Sequence, residues 1–205
     1  MHADVPTMLL MTIVNSVVMA GAMATVGWGQ RRDGIAWWAV GLLLYALAYG
    51  LFVALGAVAR ELAFVLGNVL LACAFAALLL ALHRFLQQPV APWLLALPPT
   101  GMALLSTLLL AHDGLRAAAV SLCLCLQMGL MLWALRRSVP RLKGRGLRLL
   151  RWALRAMIAV LLLRALLGVL PAAQGLSGAT LLSLTFVASF AAMLMASLGF
   201  VFMSR

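Results

Sequence analysis

Residues 157–170 read MIAVLLLRALLGVL, an apolar run that holds one charged residue, Arg164, near its middle. A guanidinium keeps its proton and is costly to place in hydrocarbon, so its side chain must face protein partners or trapped water. Partners of opposite charge are scarce here, because only 4 of the 205 residues are Asp or Glu. The run therefore predicts a membrane-spanning helix, and its buried charge marks a candidate functional site.

The composition extends this prediction to the whole chain. Hydrophobic residues make up 66% of it and charged residues 9%, and the mean hydropathy is +1.15. Water-soluble domains are about 45–50% apolar and about 25% charged. The apolar runs are continuous rather than alternating, which favours a helical bundle over a β-barrel. We therefore expect an all-α membrane protein in which residues 1–205 form a single transmembrane domain.

Seven runs are long enough to cross a bilayer, for which a helix needs about 20 apolar residues. Their approximate bounds are Val5–Gly27, Ile35–Ala59, Leu62–Leu82, Pro92–Ala111, Leu115–Leu135, Leu147–Leu170 and Gly178–Met203. The fourth run contains Pro98 and Pro99, which we expect to kink it or to make its first half irregular. The prediction is a bundle of seven transmembrane helices.

The basic residues predict how the bundle is oriented. One set of span ends and loops holds Arg31, Arg32, Arg84, Arg136, Arg137, Arg141, Lys143, Arg145, Arg148, Arg151 and Arg205. The opposite set holds Arg60 and Arg116. The positive-inside rule then places the N-terminus outside and the C-terminus in the cytoplasm. Six tryptophans near the basic side predict an interfacial belt, namely Trp28, Trp37, Trp38, Trp93, Trp133 and Trp152.

The formal net charge of +11 could indicate nucleic acid or anionic lipid as a partner. We expect lipid and no nucleic acid, because the basic residues lie at span ends rather than on a soluble face. The loop Arg136–Arg151, RRSVPRLKGRGLRLLR, is the strongest cluster. It is interpreted as a topology determinant beside anionic lipid, with a phosphate or nucleotide site and the docking of a cytoplasmic domain as alternatives.

The polar residues that the bilayer must accommodate form the candidate site. Asn15, Asn68, Gln127 and Arg164 lie within predicted spans, and Glu61 and Asp113 lie at the outer rim. Comparison of depths along the helices allows these side chains to meet in the outer half of the membrane. Two interpretations stay open: a pocket reached from outside whose occupancy shifts helix packing, or internal polar ties worth about 0.6 kcal/mol per hydrogen bond.

Several kinds of chemistry can be set aside. A retinal Schiff base needs a lysine in the last span, and the one lysine, Lys143, lies in a loop. The sequence Gly175-Leu176-Ser177-Gly178 matches a rhomboid protease pattern, but all three histidines precede it, whereas that pattern pairs the serine with a later histidine. Cys123 and Cys125 point to nearly opposite sides of a helix, and His112-Asp113 alone makes no metal site. We expect no catalytic residue, no metal and no cofactor, so the chain itself is not expected to be an enzyme.

Small residues follow helical rows in the first and last spans. Ser16, Ala20 and Ala24 form one row, and Ala188, Ala192, Ala196 and Gly199 form the other. Such rows let two helix backbones approach closely. They are interpreted as packing surfaces within one bundle, and a homodimer joined along the last span is the alternative.

Three stretches resemble the multi-span N-terminal membrane regions of bacterial GGDEF-type diguanylate cyclases. The first is GNVLLACAFAALLLALHRFL, residues 67–86, in which a buried asparagine precedes a leucine-rich run. The second is the sixth span with Arg164, and the third is the final GFVFMSR, residues 199–205. This resemblance implies a location in the bacterial inner membrane. It also implies a cytoplasmic output domain C-terminal to Arg205 that makes cyclic-di-GMP, most often as a dimer. The chain departs from the family in holding no GGDEF segment.

The sequence thus predicts a membrane sensor or input domain in which a periplasmic or lipid-borne signal biases packing around Arg164, Asn68 and Gln127. Two alternatives come from other classes: a small anion or solute transporter or channel with Arg164 as the anion-binding charge, and a passive membrane anchor. A small protein that is complete at Arg205 is a further reading of the C-terminus.

Overall fold

The computed structural model describes residues 5–27, 34–54, 60–137, 144–169 and 178–204, and these ranges form seven helices and no strand. The helices are α1 (Val5–Gly27), α2 (Ile35–Val53), α3 (Arg60–Phe85), α4 (Pro92–Leu108), α5 (Asp113–Arg137), α6 (Arg145–Val169) and α7 (Gly178–Ser204). The described chain is therefore all-helical, as predicted. Six of these helices, all except α4, are long and apolar enough to cross a membrane, which makes the chain a multi-pass membrane protein.

Helix α4 is the exception in length. Its 17 residues end at Leu108, before the predicted end at Ala111. At a rise of about 1.5 Å per residue they reach about 25 Å, against about 30 Å for the hydrocarbon of a bilayer. Pro98 and Pro99 lie inside the helix without ending it. The Thr100 hydroxyl donates to the carbonyls of Ala96 and Leu97, so the chain next to the prolines carries an additional hydrogen bond.

The helices pack in chain order and then close on themselves. Each of the helices α1 to α6 contacts the next one along the chain, and α7 also contacts α1. Helix α3 also contacts α5, which gives it neighbours on several sides. Accordingly 67% of the residues in its most apolar stretch are buried, against 28% in the corresponding stretches of α1 and α6. Helix α3 is thus the central element, and α1 and α6 are peripheral.

The outside of the bundle is apolar. Helix α1 exposes Met11 and Val18, each 62% accessible, and α6 exposes Leu163 and Leu166 at 52% and 58%. Large apolar surfaces of this kind mark contact with a membrane or a partner. Together with the length of the helices, they indicate that hydrocarbon surrounds the bundle.

The tryptophans divide into two groups. Trp37, Trp93, Trp133 and Trp152 are exposed near the ends of their helices, as an interfacial belt requires. Trp38 is fully buried, so its predicted place in the belt is wrong. Its ring stacks on Phe200 at 4.2 Å, and its indole nitrogen donates to the Ser197 hydroxyl at 3.2 Å. Trp28 lies outside the described residues.

Two glycines bring α6 and α7 into backbone contact. A methyl group on Gly199 would lie 2.8 Å from the Leu150 nitrogen and 3.0 Å from the Gly146 carbonyl oxygen. Ala192 and Ala196, on the same row of α7, are also buried. The small-residue row of the last helix therefore packs within the bundle, against α6, which favours the first of its two interpretations.

We predict that Gly199→Ala destabilises the bundle, because the new methyl group must push two backbones apart, at a cost of about 1–3 kcal/mol. The measurement is the midpoint of thermal unfolding in neutral detergent. Gly129→Ala is the matched control: its methyl group meets nothing within 4 Å, so the midpoint should hold or rise. Equal midpoints for the two variants would contradict the close approach.

Candidate functional site

A cavity of about 390 Å³ lies at one end of the bundle. We call it the main cavity and define it by its polar lining residues, Asn68, Asp113, Arg116 and Arg164. Its walls come from six helices, all except α4. The lining residues lie near the starts of odd-numbered helices and near the ends of α2 and α6, so neighbouring helices run antiparallel. Its volume lies within the range of about 300–1,000 Å³ usual for small-molecule pockets.

Glycines shape the walls of the main cavity. A methyl group on Gly114 of α5 would lie 2.3 Å from the Gly168 carbonyl oxygen of α6, so these helix ends touch through their backbones. This contact holds Arg164, one helical turn before Gly168, close to the start of α5. On the other side, Gly67 leaves space for the ring of Phe52, whose nearest atom would be 2.4 Å from a methyl group there. Asn68, the next residue, lines the cavity.

Arg164 is half-buried, and no carboxylate of the described residues forms an ion pair with it. Within the described ranges the one ion pair is that between Arg116 and Asp113. Arg164 also lines a minor cavity of about 30 Å³ that lies deeper in the bundle, so its side chain stands between the two spaces. A guanidinium inside a membrane protein needs either a partner or water. In this fold the main cavity provides the space for one or the other.

Arg116, by contrast, is fully engaged. It donates to the Leu110 carbonyl at 3.0 Å and to the Asp113 carboxylate, and its guanidinium lies 4.8 Å from the centre of the Phe64 ring. Asp113 neutralises its charge. Among the described residues that line it, the main cavity therefore has an excess of one positive charge, which belongs to Arg164.

The minor cavity adds hydroxyl groups below Arg164. Tyr45 donates to the Tyr49 hydroxyl at 3.2 Å, and Thr185 and Ser189 contribute from α7. Tyr49 lines both cavities, as Arg164 does. Arg164 and Tyr49 thus connect the main cavity with the minor cavity, whose hydroxyl groups include that of Tyr45 in the bundle core.

The six predicted site residues separate into two groups. Asn68, Asp113 and Arg164 line the main cavity, where the Asn68 amide also donates to the Ser106 hydroxyl at 3.4 Å. Gln127, Asn15 and Glu61 do not line it. Gln127 is fully buried and donates to the Ala72 carbonyl at 2.9 Å, so it ties α5 to α3. Asn15 is half-buried on α1, and Glu61 is exposed at the start of α3.

Several residues that line the main cavity are not among the six predicted site residues. One is Arg116, which the sequence analysis uses for orientation, although its spacing of three residues from Asp113 predicts a contact on one helix face. The two tyrosines, Tyr45 and Tyr49, also share a face of α2, and a pair of hydroxyls within an apolar span is a usable signal. The aromatic wall of the main cavity is formed by the rings of Tyr49, Phe52, Phe64 and Phe186. These residues come from three helices, so they meet only when the helices pack.

Away from this end the bundle is closely packed. Beyond the minor cavity, the void among Trp38, Met128 and Met193 measures only about 10 Å³. No group of three or more His, Cys, Asp or Glu side chains within the described part of the chain could hold a metal ion. What the site can do chemically is bind: it offers one uncompensated positive charge, hydroxyl and amide donors, and an aromatic wall.

We predict that water reaches the main cavity. With Cys73, Cys123 and Cys125 replaced by Ala, Ala117→Cys should react with a charged methanethiosulfonate reagent, because Ala117 lines the cavity and thiolates form in water. Gln127→Cys, on the same helix at a fully buried position, is the control and should stay unlabelled. The readout is the mass shift of the intact protein. Equal labelling at the two positions would show that the cavity is not a separate aqueous space.

No family model, curated protein or solved structure matches this chain. The geometry of the main cavity therefore carries the functional argument.

Proposed function

We propose that this chain is a membrane-embedded sensor, an input domain that binds a ligand in the main cavity and passes the effect to a cytoplasmic output. The observation that carries the proposal is the guanidinium of Arg164, which lines a cavity of about 390 Å³ and forms no ion pair with a carboxylate of the described residues. A ligand that neutralises this charge acts on six helices at once. Any helix arrangement that brings the guanidinium closer to the ligand is then favoured over the others.

The proposal places the bundle in a bacterial inner membrane, with the N-terminus and the main cavity outside. In support, the described end away from the cavity carries seven arginines, Arg84, Arg136, Arg137, Arg145, Arg148, Arg151 and Arg155. Three of them lie over tryptophan rings, at 5.1, 3.7 and 5.4 Å from the ring centres. Such a surface suits the anionic headgroups of a cytoplasmic leaflet.

Helix α7 is the proposed output element. Its first half contributes Phe186 to the main cavity, and its second half packs against α6 through Gly199. A shift at the cavity therefore has a continuous helix through which to reach the basic side. By the resemblance noted above, the output would be a diguanylate cyclase, which works as a dimer, and the membrane domain itself would be no enzyme.

Transport is the second candidate, and the unpaired charge of Arg164 is the observation that favours it. A transporter needs a route across the membrane, and paired broken helices often mark such a route. Here the space shrinks from about 390 to 30 and then to 10 Å³ along the bundle. This decrease in volume supports a binding site that closes towards the core, and it argues against a channel.

The test is a fusion of the chain, after Arg205, to a GGDEF domain, with cellular cyclic-di-GMP as the readout. We expect Arg164→Ala and Asn68→Ala to change the output several-fold, because both residues line the cavity. Arg155→Gln is the matched control, since it removes an exposed arginine from the same helix and should leave the output within about twofold of the parent. An output that none of the three substitutions moves would rule out the sensor.

Two further arms separate the alternatives. An unrelated membrane anchor in place of the bundle should abolish regulation, and regulation that survives the exchange would identify the chain as a passive anchor. Reconstituted vesicles should show no flux of chloride or of small organic anions, and flux that depends on Arg164 would identify a transporter. The Ala117→Cys variant in intact cells should react with an impermeant reagent from outside, which tests the orientation.

A further inference from the structure

We infer that the ligand of the main cavity is an amphiphile with a single carboxylate, whose headgroup binds Arg164 and whose apolar body lies against the aromatic wall. This inference rests on the proposed function and names the ligand class. It follows from three properties of the site: the donors that converge at its inner end, the charge at its mouth, and the character of its walls.

The donors converge where the main and minor cavities meet. Arg164 offers a planar fork of N–H groups, which matches a carboxylate with two parallel hydrogen bonds. Tyr49 also lines both cavities, and its hydroxyl, which lies 3.2 Å from that of Tyr45, can donate a hydrogen bond to an acceptor placed there. A carboxylate there would receive bonds from a cation and from a phenol, which is how a buried anion is satisfied.

The charged residues that line the main cavity determine how many negative charges its ligand should carry. Asp113 lines the cavity with 78% of its side chain accessible, and its partner Arg116 is already engaged with it, with the Leu110 carbonyl and with the Phe64 ring. Among the described lining residues, Arg164 is left as the one cation without a carboxylate partner. A dianion such as a phosphate monoester would bring one unpaired charge near Asp113, whereas a carboxylate would leave none.

The walls of the main cavity indicate what the rest of the ligand is. The rings of Tyr49, Phe52 and Phe186 form a connected set, with Tyr49 5.9 Å from each of the other two. Together with Phe64 and Leu71 they present apolar surface to the cavity. Burial of a matching apolar body in this cavity would favour binding, because it removes apolar surface from water. Both a medium-length acyl chain from the bilayer and an aromatic acid from water have this chemistry.

The experiment uses the full chain in neutral detergent, with two acids and their uncharged counterparts as probes. Decanoate is paired with decanol, and 2-naphthoate with 2-naphthol. The readout is the affinity derived from the rise of the unfolding midpoint with ligand concentration. We expect at least one acid to bind about 10- to 100-fold more tightly than its alcohol, the gain typical of hydrogen bonds to a charged group. The pair that shows the gain identifies the source.

Substitutions then locate the headgroup. Arg164→Gln should remove the preference for the acid, Arg164→Lys should keep part of it, and Arg155→Gln, on the lipid-facing side of α6, should keep all of it. Arg164→Gln should also hold or raise the midpoint of the ligand-free protein, because no carboxylate of the described residues loses a partner. This control separates loss of binding from loss of folding.

The outcomes are distinct. Equal affinity for acid and alcohol, or the same loss of preference in Arg155→Gln as in Arg164→Gln, would overturn the carboxylate assignment. If the acids fail to bind while Arg164→Ala still changes the output of the fusion, the ligand class is wrong and the sensor stands. If they bind at Arg164 and the fusion does not respond, the binding site stands and the sensor is wrong.

Discussion

The organisation of this protein depends on the cost of keeping the Arg164 guanidinium inside a membrane. A charge that cannot be neutralised by losing its proton has to be paired or hydrated, and the described carboxylates do neither for it directly. The bundle responds with a cavity of about 390 Å³ at that position, edged by Asn68 and by the ion pair of Arg116 with Asp113. The excess positive charge of the described lining comes from this one residue, and the ligand proposed for the cavity is chosen to match it.

Close backbone contacts at glycines determine where that space lies. Gly114 and Gly168 bring α5 and α6 together next to the main cavity, and Gly146 and Gly199 bring α6 and α7 together at the opposite end. Helix α6 is thus held tightly at both ends, with Arg164 between them on the side that faces the cavity. Membrane helices gain association energy from packing of this kind rather than from burial of apolar surface away from water. The helices therefore approach closely at these contacts, and the described interior opens at the main cavity.

The polar residues of the interior divide between holding the fold and forming the site. Gln127 and the Trp38–Ser197 pair tie helices together in the closed part of the bundle, where voids are small. Arg164 and Tyr49 instead face spaces that a ligand could fill. The structure therefore contains both helix ties and polar residues that line a cavity, at different depths, and ligand binding in that cavity stays a prediction. A ligand at the open end would act against a rigid remainder, as a sensor requires.

The sequence by itself determined the helical class and the approximate positions of the helices, because a bilayer requires long apolar runs. It also marked Arg164 as a candidate site residue, because a charge within such a run is costly. The start of α1 at Val5 and its end at Gly27, and the starts of α2, α4 and α7, agree with the sequence-based bounds. Only the tertiary structure decided which polar residues share a cavity. It brings Asn68, Asp113 and Arg164 together with Arg116 and Tyr49, and it leaves Gln127, Asn15 and Glu61 elsewhere. It also decided that Trp38 belongs to the core and not to the interfacial belt. Those outcomes depend on the rotation of each helix about its axis and on which neighbours it meets, and both are set by glycine contacts between residues far apart in the chain.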